Sequence, residues 1–481
     1  MLTAASSTSL GFEPDFVNSS GLLKPAMEGP MVKAIRKRSW RRFSVCVVVS
    51  LGLLVLAVAV LLLSFERVLL NSYGKRTIEQ AFAKSHPGSV VIIGELDYSL
   101  ASNCLVAQSV TLRAANATLR IGRSSLIGVC WAQLLWGANS LPDVLAKGSL
   151  DATNLLVDFP QAHYGLRAAH LRASVPSSEL IVEGAELQTL AGDAALFAAH
   201  EFRTTRFHVI VPECRILGLV YGDLLRGTGY RARSARFSKP FFDALVDCDK
   251  PTDPFDQPPL MVHEALAAIR LPLQIDSLTV TNGQVRYCER MVAGAEPGVL
   301  TFADVNLVAA GIANRGQPSA AILLRAQGKL MNAAVLKVEM TIPIAPDSFS
   351  FRYSGSLSAL DLTGLDAFLD IAEHLRIKSG IAKEVAFDID VAAGQARGRV
   401  RGIYRDLEIA ILDKRTGTEK GVGNRLASLL ANTLKIRPSN TPDAVGDMKE
   451  GEVNYAKRPS DEFLQFAWFA LRSGVLDLIS H

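Results

Sequence analysis

The residue types that could carry catalysis occur in this chain of 481 residues, but they form no recognised pattern. The motifs GxSxG, HExxH and GxxxxGK(S/T) mark a nucleophile elbow, a zinc protease and a phosphate loop, and the sequence contains none of them. Gly227 to Ala232 (GTGYRA) fits the loosest dinucleotide pattern, GxGxxA. It lacks the alternating strands and helices that would place a pyrophosphate at a helix N-terminus. We therefore predict that the protein is not an enzyme and has no cofactor.

Metal-ligating residue types are also spread too widely for a site. Asp247 to Pro259 (DCDKPTDPFDQPP) brings four aspartates together, Asp247, Asp249, Asp253 and Asp256. This segment lacks the central glycine and closing glutamate of an EF-hand, so a solvated linker is favoured over a calcium site. Four histidines share one region, His163, His170, His200 and His208. No spacing among them suggests a catalytic triad, so we expect structural or surface roles and no metal.

The six cysteines do not form a disulfide framework. Cys46 lies in an apolar run, and the other five show neither a CxxC nor a Cys/His pattern: Cys104, Cys130, Cys214, Cys248 and Cys288. Five cysteines cannot all pair within one chain. A single disulfide, with Cys214 to Cys248 as the guess, and buried free thiols both remain open.

The charge balance argues against nucleic acid as a partner. Seven of the 51 basic and three of the 47 acidic residues precede Phe43, which leaves 44 of each in the rest of the chain. A nucleic-acid-binding protein normally shows a concentrated basic surface. Arg397, Arg399 and Arg401 alternate along one strand, where they could form a basic strip for lipid head groups, but a solvated strand face is favoured.

Side chains alternate with a period of two over much of the chain after Gly88, which predicts β-strands with one apolar and one polar face. The clearest apolar alternations run from Leu336 to Ile344, from Phe349 to Tyr353 and from Val385 to Val391. Such faces must be covered by another layer. Few amphipathic helices intervene, so a barrel, a sandwich and an open curved sheet with an apolar trough all remain open.

Helical patterns are limited to a few segments. They lie around Cys130 to Leu145, His263 to Ile269 and Leu365 to Leu375, at Gly423 to Ile436, and after Pro459, where Ser460 is a candidate N-cap. The last of these carries four aromatic residues that could cap the end of a trough, Phe463, Phe466, Trp468 and Phe469.

Phe43 to Phe65 is a run of 23 residues without a charge, and it predicts a transmembrane anchor. At about 1.5 Å per residue a helix of this length reaches roughly 34 Å, enough to cross a bilayer core. A cleaved secretory signal usually has a shorter apolar region. The six basic residues between Lys33 and Arg42 place the N-terminus in the cytoplasm and export the rest of the chain.

These features predict seven segments. They are a cytoplasmic tail (1–42), the anchor (43–65), a juxtamembrane helix (66–87), a first β-rich module (88–246), a linker (247–262), a second β-rich module (263–412) and a C-terminal helical region (413–481). Whether residues 1–30 are the true N-terminus stays open.

Several motifs occur in order along the second module. LQIDSLTVTNGQVRYCER (Leu273 to Arg290) precedes GVLTFADVNLVAAGI (Gly298 to Ile312), and FSFRYSGSLSALDLTGLDAFL (Phe349 to Leu369) precedes GQARGRVRGIYRDLEIAI (Gly394 to Ile411). FLQFAWFALRSGVLDLI (Phe463 to Ile479) follows near the C-terminus. This ordered set, with a single N-terminal anchor, resembles the AsmA-like superfamily of bacterial envelope proteins.

The resemblance implies a mainly β fold in which an elongated, repeating β-groove, a curved antiparallel sheet, follows one transmembrane helix and ends in short helices. In its first motif it also implies two strands joined by an Asn-Gly turn. The function it implies is binding or conducting phospholipid in the periplasm for outer-membrane homeostasis, with partners that are phospholipid, the inner membrane and outer-membrane or envelope proteins. A non-enzymatic envelope assembly factor or scaffold is the alternative. The candidate groove residues are Val338, Met340, Ile342, Phe349, Phe351, Val385, Phe387, Ile389 and Val391.

Overall fold

A computed structural model describes residues 88–99, 102–130, 141–251, 261–316, 320–344, 349–412 and 436–480, together with Lys75, Glu79 and Ala83. None of the helices in this part of the chain is long and apolar enough to cross a membrane. The predicted anchor, residues 43–65, lies outside the described residues.

The described residues form nineteen strands in one sheet. The first ten are β1 (Val90–Ile92), β2 (Glu95–Ser99), β3 (Cys104–Ala114), β4 (Ala117–Ile127), β5 (Ser149–Phe159), β6 (Tyr164–Ser174), β7 (Glu179–Thr189), β8 (Thr205–Leu217), β9 (Tyr230–Ser238) and β10 (Phe241–Asp247). The others are β11 (Leu273–Arg290), β12 (Gly298–Ala313), β13 (Ala321–Leu330), β14 (Ala334–Pro343), β15 (Phe351–Leu357), β16 (Leu360–Asp361), β17 (Leu375–Ala392), β18 (Gln395–Ile411) and β19 (Glu450–Ala456).

Short helices lie between these strands. They are α1 (Leu141–Val144), α2 (Asp193–Ala198), α3 (Tyr221–Arg226), α4 (Val262–Ala267), α5 (Asp366–Ala372) and the longer α6 (Phe463–Ile479), with 3₁₀ turns at Pro160–Ala162 and Leu362–Leu365. The helices predicted around His263 to Ile269, around Leu365 to Leu375 and after Pro459 are confirmed as α4, α5 and α6. The helix predicted from Gly423 lies outside the described residues except for its last residue.

Strand pairing makes the sheet a nearly continuous meander. From β3 to β8 and from β11 to β15, each strand pairs antiparallel with the next, and β17, β18 and β19 extend the second run. Three times, two short strands pair with different parts of the same long neighbour and so occupy one place in the strand order: β1 with β2, β9 with β10, and β15 with β16. The nineteen strands therefore occupy sixteen places across the sheet. At about 4.8 Å per strand, the sheet measures roughly 70 Å along its width. The predicted mainly β class is confirmed.

The sheet is mixed, which differs from the antiparallel sheet that was expected. β11 pairs in parallel with both β9 and β10. Parallel neighbours require a crossover connection, so the chain must return to the opposite end of the sheet between β10 and β11. The end of this crossover is held by Asn314, whose side-chain amide donates to the carbonyls of Ile269 at 2.8 Å and Leu271 at 2.7 Å. Met261, just before α4, is fully buried.

Several long strands bend where a residue adopts a left-handed backbone conformation. Ser109 in β3, Asn154 in β5 and Asp406 in β18 have φ between 52° and 57°. Gly122 of β4 stands between the first two, and a Cβ placed on it would lie 3.0 Å from the Cβ of Asn154. At Ser109 and Asp406 the bend residue and the residue before it are both exposed, and at all three bends the apolar face moves from odd to even positions, or the reverse. A bulged strand bends in this way without ending.

Asn282 and Gly283 form such a bend, which corrects the Asn-Gly turn that the resemblance implied. β11 continues through them as one strand of 18 residues. Asn282 has a φ of 54°, and the pairing with β12 shifts register beside it. Asn-Gly favours left-handed conformations in hairpins and in bulges alike, so the dipeptide does not distinguish the two.

The last edge of the sheet is covered by α6. The backbone N–H of Glu452 in β19 donates to Asp477 Oδ2 at 2.8 Å, and that of Asn454 donates to Ser473 Oγ at 3.2 Å. Ser473 and Asp477 are four residues apart and therefore lie on one side of the helix. They occupy donors that would otherwise be free to pair with a foreign strand.

The first edge is covered in a similar way by helical residues that precede β1. The backbone N–H of Ile93 donates to Glu79 Oε1 at 2.9 Å, and Lys75 Nζ donates to the carbonyl of Gly94 at 3.1 Å. Lys75 and Glu79 are helical and again four residues apart. Each edge of the sheet is thus covered by a pair of helical side chains.

α6 packs on β19 at the closest approach that two backbones allow. A Cβ on Gly451 would lie 2.0 Å from the carbonyl oxygen of Gly474, and a Cβ on Gly474 would lie 2.6 Å from side-chain atoms of Val400 and Val453. Both positions therefore require glycine.

We predict that Gly451→Ala lowers the free energy of unfolding by about 3 kcal/mol, because the methyl group must push α6 off the sheet. Chemical denaturation measures this change. Gly364→Ala is the matched control, since no atom lies within 4 Å of the added methyl group. Equal stabilities of the two variants would contradict the packing described for α6.

Candidate functional site

One face of the sheet carries an unbroken line of apolar side chains, because opposite residues of paired strands point the same way. In the second half of the chain this line runs through Leu278, Ala309, Leu324, Met340, Tyr353 and Ile389, each directly opposite the next. In the first half it runs through Leu105, Leu126, Leu150, Ala173, Leu180 and Ile216. Ala235 lies opposite both Ile216 and Leu278 and joins the halves. We call the surface that carries this line the apolar face.

The opposite, polar face carries charged residues that pair across neighbouring strands. Arg325 lies 3.2 Å from Glu339, and Arg352 lies 2.7 Å from Asp388. Arg172 and His170 both contact Glu183, and the hydrogen bond from His170 is the main reason that the pKa of Glu183 lies below its ordinary value. The charged pairs therefore lie on this face, which also carries the exposed apolar side chains of Val308 and Leu323.

The predicted basic strip lies on the polar face and is largely neutralised. Arg399 and Arg401 both pair with Glu450 of β19, and Arg397 lies opposite Asp390 in the register of β17 and β18. This arrangement agrees with the solvated strand face that the sequence favoured over a head-group strip.

All nine predicted groove residues lie in one apolar cluster. Five of them are buried, Ile342, Phe351, Phe387, Ile389 and Val391, and four are partly buried, Val338, Met340, Phe349 and Val385. α6 closes over the buried part, since the ring of Phe463 lies 4.9 Å from that of Phe351 and the hydroxyl of Tyr353 donates to the carbonyl of Ala467 at 2.8 Å. The expectation that too few helices cover these strands is wrong for β15 to β19.

The accessible part of the apolar face lies nearer the middle of the sheet. Leu278, Leu307, Leu324 and Met340 are all only partly buried, although they pack against the same cluster. Of these, only Met340 was among the predicted groove residues. Leu324 was missed because it ends the run Ala320 to Leu324, whose five consecutive apolar residues hide a period of two. The alternation of Leu278 and Val280 was the signal that could have identified β11.

The four predicted cap residues do not share one environment. Phe466 is fully buried, Phe463 contacts Phe351, and the Phe469 ring lies 5.9 Å from that of Tyr455. Trp468 is 43% exposed, so it is not part of the core.

The predicted Ser460 cap is wrong. α6 begins at Phe463, and Glu462 is its N-cap without a side-chain hydrogen bond to the helix. Asp461 instead accepts from the backbone N–H of Arg458 at 2.8 Å and from the hydroxyl of Tyr455 at 2.9 Å. These bonds fix the turn into the helix.

Two of the four histidines contact carboxylates on neighbouring strands, which their spacing in the sequence did not show. His170 lies 2.7 Å from Asp151 and 3.2 Å from Glu183 on the polar face, and His208 lies 2.8 Å from Glu186. Each is held between strands that neighbour one another, so the contacts depend on register and not on sequence distance. Within the described residues, no group of three or more His, Cys, Asp and Glu side chains could hold a metal ion. Asp253 and Asp256 lie outside those residues.

The disulfide guess is wrong, because Cys214 and Cys248 are both free. Burial raises the pKa of each thiol to about 11, so both are poor nucleophiles at neutral pH.

A comparison with protein-family models finds no match to this chain, and a comparison with curated proteins finds no similar sequence. The AsmA-like resemblance therefore stays a prediction, and the function must be argued from the faces of the sheet.

We predict that Phe466→Ala lowers the free energy of unfolding by about 3 to 5 kcal/mol, as expected for a large aromatic residue removed from a core. Trp468→Ala should cost less than about 1 kcal/mol because its ring is largely solvated. Thermal and denaturant unfolding of both variants tests the assignment. A larger loss for Trp468→Ala would contradict it.

Proposed function

We propose that the protein is held in the inner membrane by residues 43–65 and binds or conducts phospholipid along the apolar face of a periplasmic sheet, contributing to outer-membrane homeostasis. The observation that carries this proposal is the unbroken apolar line, of which Leu278, Leu324 and Met340 on β11, β13 and β14 are only partly buried. Each acyl CH₂ group removed from water contributes about 0.8 kcal/mol, so acyl chains could be held here without a specific polar site.

The position of α5 supports a curved sheet that forms a groove. α5 contacts β11 and β12 and also β17. β12 and β17 are four places apart, which would separate them by about 19 Å in a flat sheet. A helix of seven residues is only about 10 Å long, so it reaches both strands more easily if the sheet curls around it. The apolar face would then be the concave wall of the groove.

A second function, a non-enzymatic envelope assembly factor or scaffold, is favoured by one observation. Leu464 and Trp468 lie four residues apart on α6 and are 73% and 43% exposed. Exposed apolar pairs of this kind are typical of contact surfaces. In this alternative the sheet supports the helix and its apolar face holds only its own side chains.

Photo-crosslinking in cells separates the two functions. We predict that a photoreactive residue at Leu324 or Met340 captures phospholipid, since both side chains lie on the accessible apolar face. Arg325 and Glu339 are matched controls, because each is adjacent to its target residue on the same strand and their side chains, 79% and 64% exposed, point to the polar face. Capture of protein alone at all four positions would favour the assembly factor and contradict the lipid proposal.

A further inference from the structure

Charged side chains interrupt the apolar face where β11, α5 and α6 meet. Tyr287 and Glu289 lie beyond the bend in β11, and the Tyr287 ring lies 6.1 Å from that of Phe368 in α5. Leu369, the next residue of α5, packs in the same apolar cluster as Met340. This part of β11 therefore faces the same interior as the proposed groove.

Two hydrogen-bonded pairs hold the charged groups in place. The hydroxyl of Tyr287 donates to Glu289 Oε1 at 2.7 Å. Arg472 of α6 donates to Glu373, just after α5, at 2.8 Å, and its guanidinium lies 4.7 Å from the centre of the Phe469 ring. The side chains of Arg472 and Glu373 are only 26% and 20% exposed. This ion pair is therefore more shielded from solvent than the pair of Arg325 and Glu339 on the polar face.

The groups also act on one another's charge. Burial is the main effect on Glu289 and raises its pKa, and the negative charge of Glu373 raises the pKa further. The hydrogen bond from Tyr287 and the positive charges of Arg203 and Arg472 lower it. Glu289 lies opposite Gly298 in the register of β11 and β12, and a Cβ on Gly298 would lie 2.9 Å from the carbonyl oxygen of Phe368 in α5. The Glu289 carboxylate therefore lies beside the helix that leads to Glu373, where a further cation would stabilise it.

We propose that Glu289, Glu373 and Arg472 bind the head group of a phospholipid that carries a primary ammonium, with its acyl chains on the adjoining apolar face. This inference rests on the proposed function. The ammonium of such a head group donates N–H bonds to the carboxylates, and its phosphate accepts from guanidinium groups. A choline head group has no N–H to donate, and a glycerol head group has no cation, so phosphatidylethanolamine fits the charges best.

A competition experiment with the purified full-length protein tests this site. The protein is incubated with mixed micelles that contain equal amounts of phosphatidylethanolamine, phosphatidylcholine and phosphatidylglycerol, and the bound lipids are extracted and counted by mass spectrometry. We expect enrichment of phosphatidylethanolamine on the wild type. Glu289→Gln should lower this enrichment about tenfold, the effect of losing one charge-assisted hydrogen bond, without lowering total bound lipid. Glu339→Gln on the polar face should leave both quantities unchanged.

Two results would overturn the proposal in distinguishable ways. Unchanged enrichment in Glu289→Gln would disprove the head-group site but not the proposal that the protein binds lipid. No bound lipid on the wild type would disprove both the proposed function and the site. Burial already disfavours the charged form of Glu289, so the glutamine variant should melt no lower than the wild type. If it does unfold, Tyr287→Phe takes its place, because it removes only the bond that orients the carboxylate, and it too should lower the enrichment.

Discussion

The rest of the structure depends on keeping the two-residue period of the strands in register across the whole sheet. A slip of one residue would send every apolar side chain of that strand to the polar face. Leu324 opposite Met340 and Arg325 opposite Glu339 show how one register serves both faces at once, since the first pair is apolar and the second is ionic. The ion pairs are too exposed to add much stability, but they oppose the wrong register.

A sheet with one apolar face is prone to association through that face and through its edges. The edges are covered by Lys75 and Glu79 at one end and by Ser473 and Asp477 at the other. α6 also covers the apolar face near β19, where Gly451 and Gly474 allow close packing. What stays accessible lies between these protected ends, which is why the middle of the sheet is the candidate for a ligand.

The period-two pattern identified the β class, because alternation is a local property of the sequence. The nine candidate groove residues lie in one apolar cluster, and their role in holding lipid stays a prediction. The pattern did not show that α6 buries Phe351 and Ile389, since this contact joins residues more than 70 positions apart. Trp468 and Phe466 have similar sequence surroundings, and only the direction in which α6 faces the sheet separates them. The parallel pairing of β11 also depended on a crossover that no turn motif marks. Glu289 was missed because neither its bond from Tyr287 nor the packing of α5 on β11 leaves a motif in the sequence.

The central claim is that the accessible apolar face holds acyl chains. The most direct measurement is the amount of phospholipid extracted from the purified full-length protein, compared with a variant that combines Leu324→Asp and Met340→Asp. We expect bound phospholipid in the wild type and a large loss in this variant, while Gln327→Asp with Lys337→Asp, which places two carboxylates on the polar face of the same strands, retains the lipid. Equal lipid in the two double variants, both folded, or none in the wild type, would contradict the account.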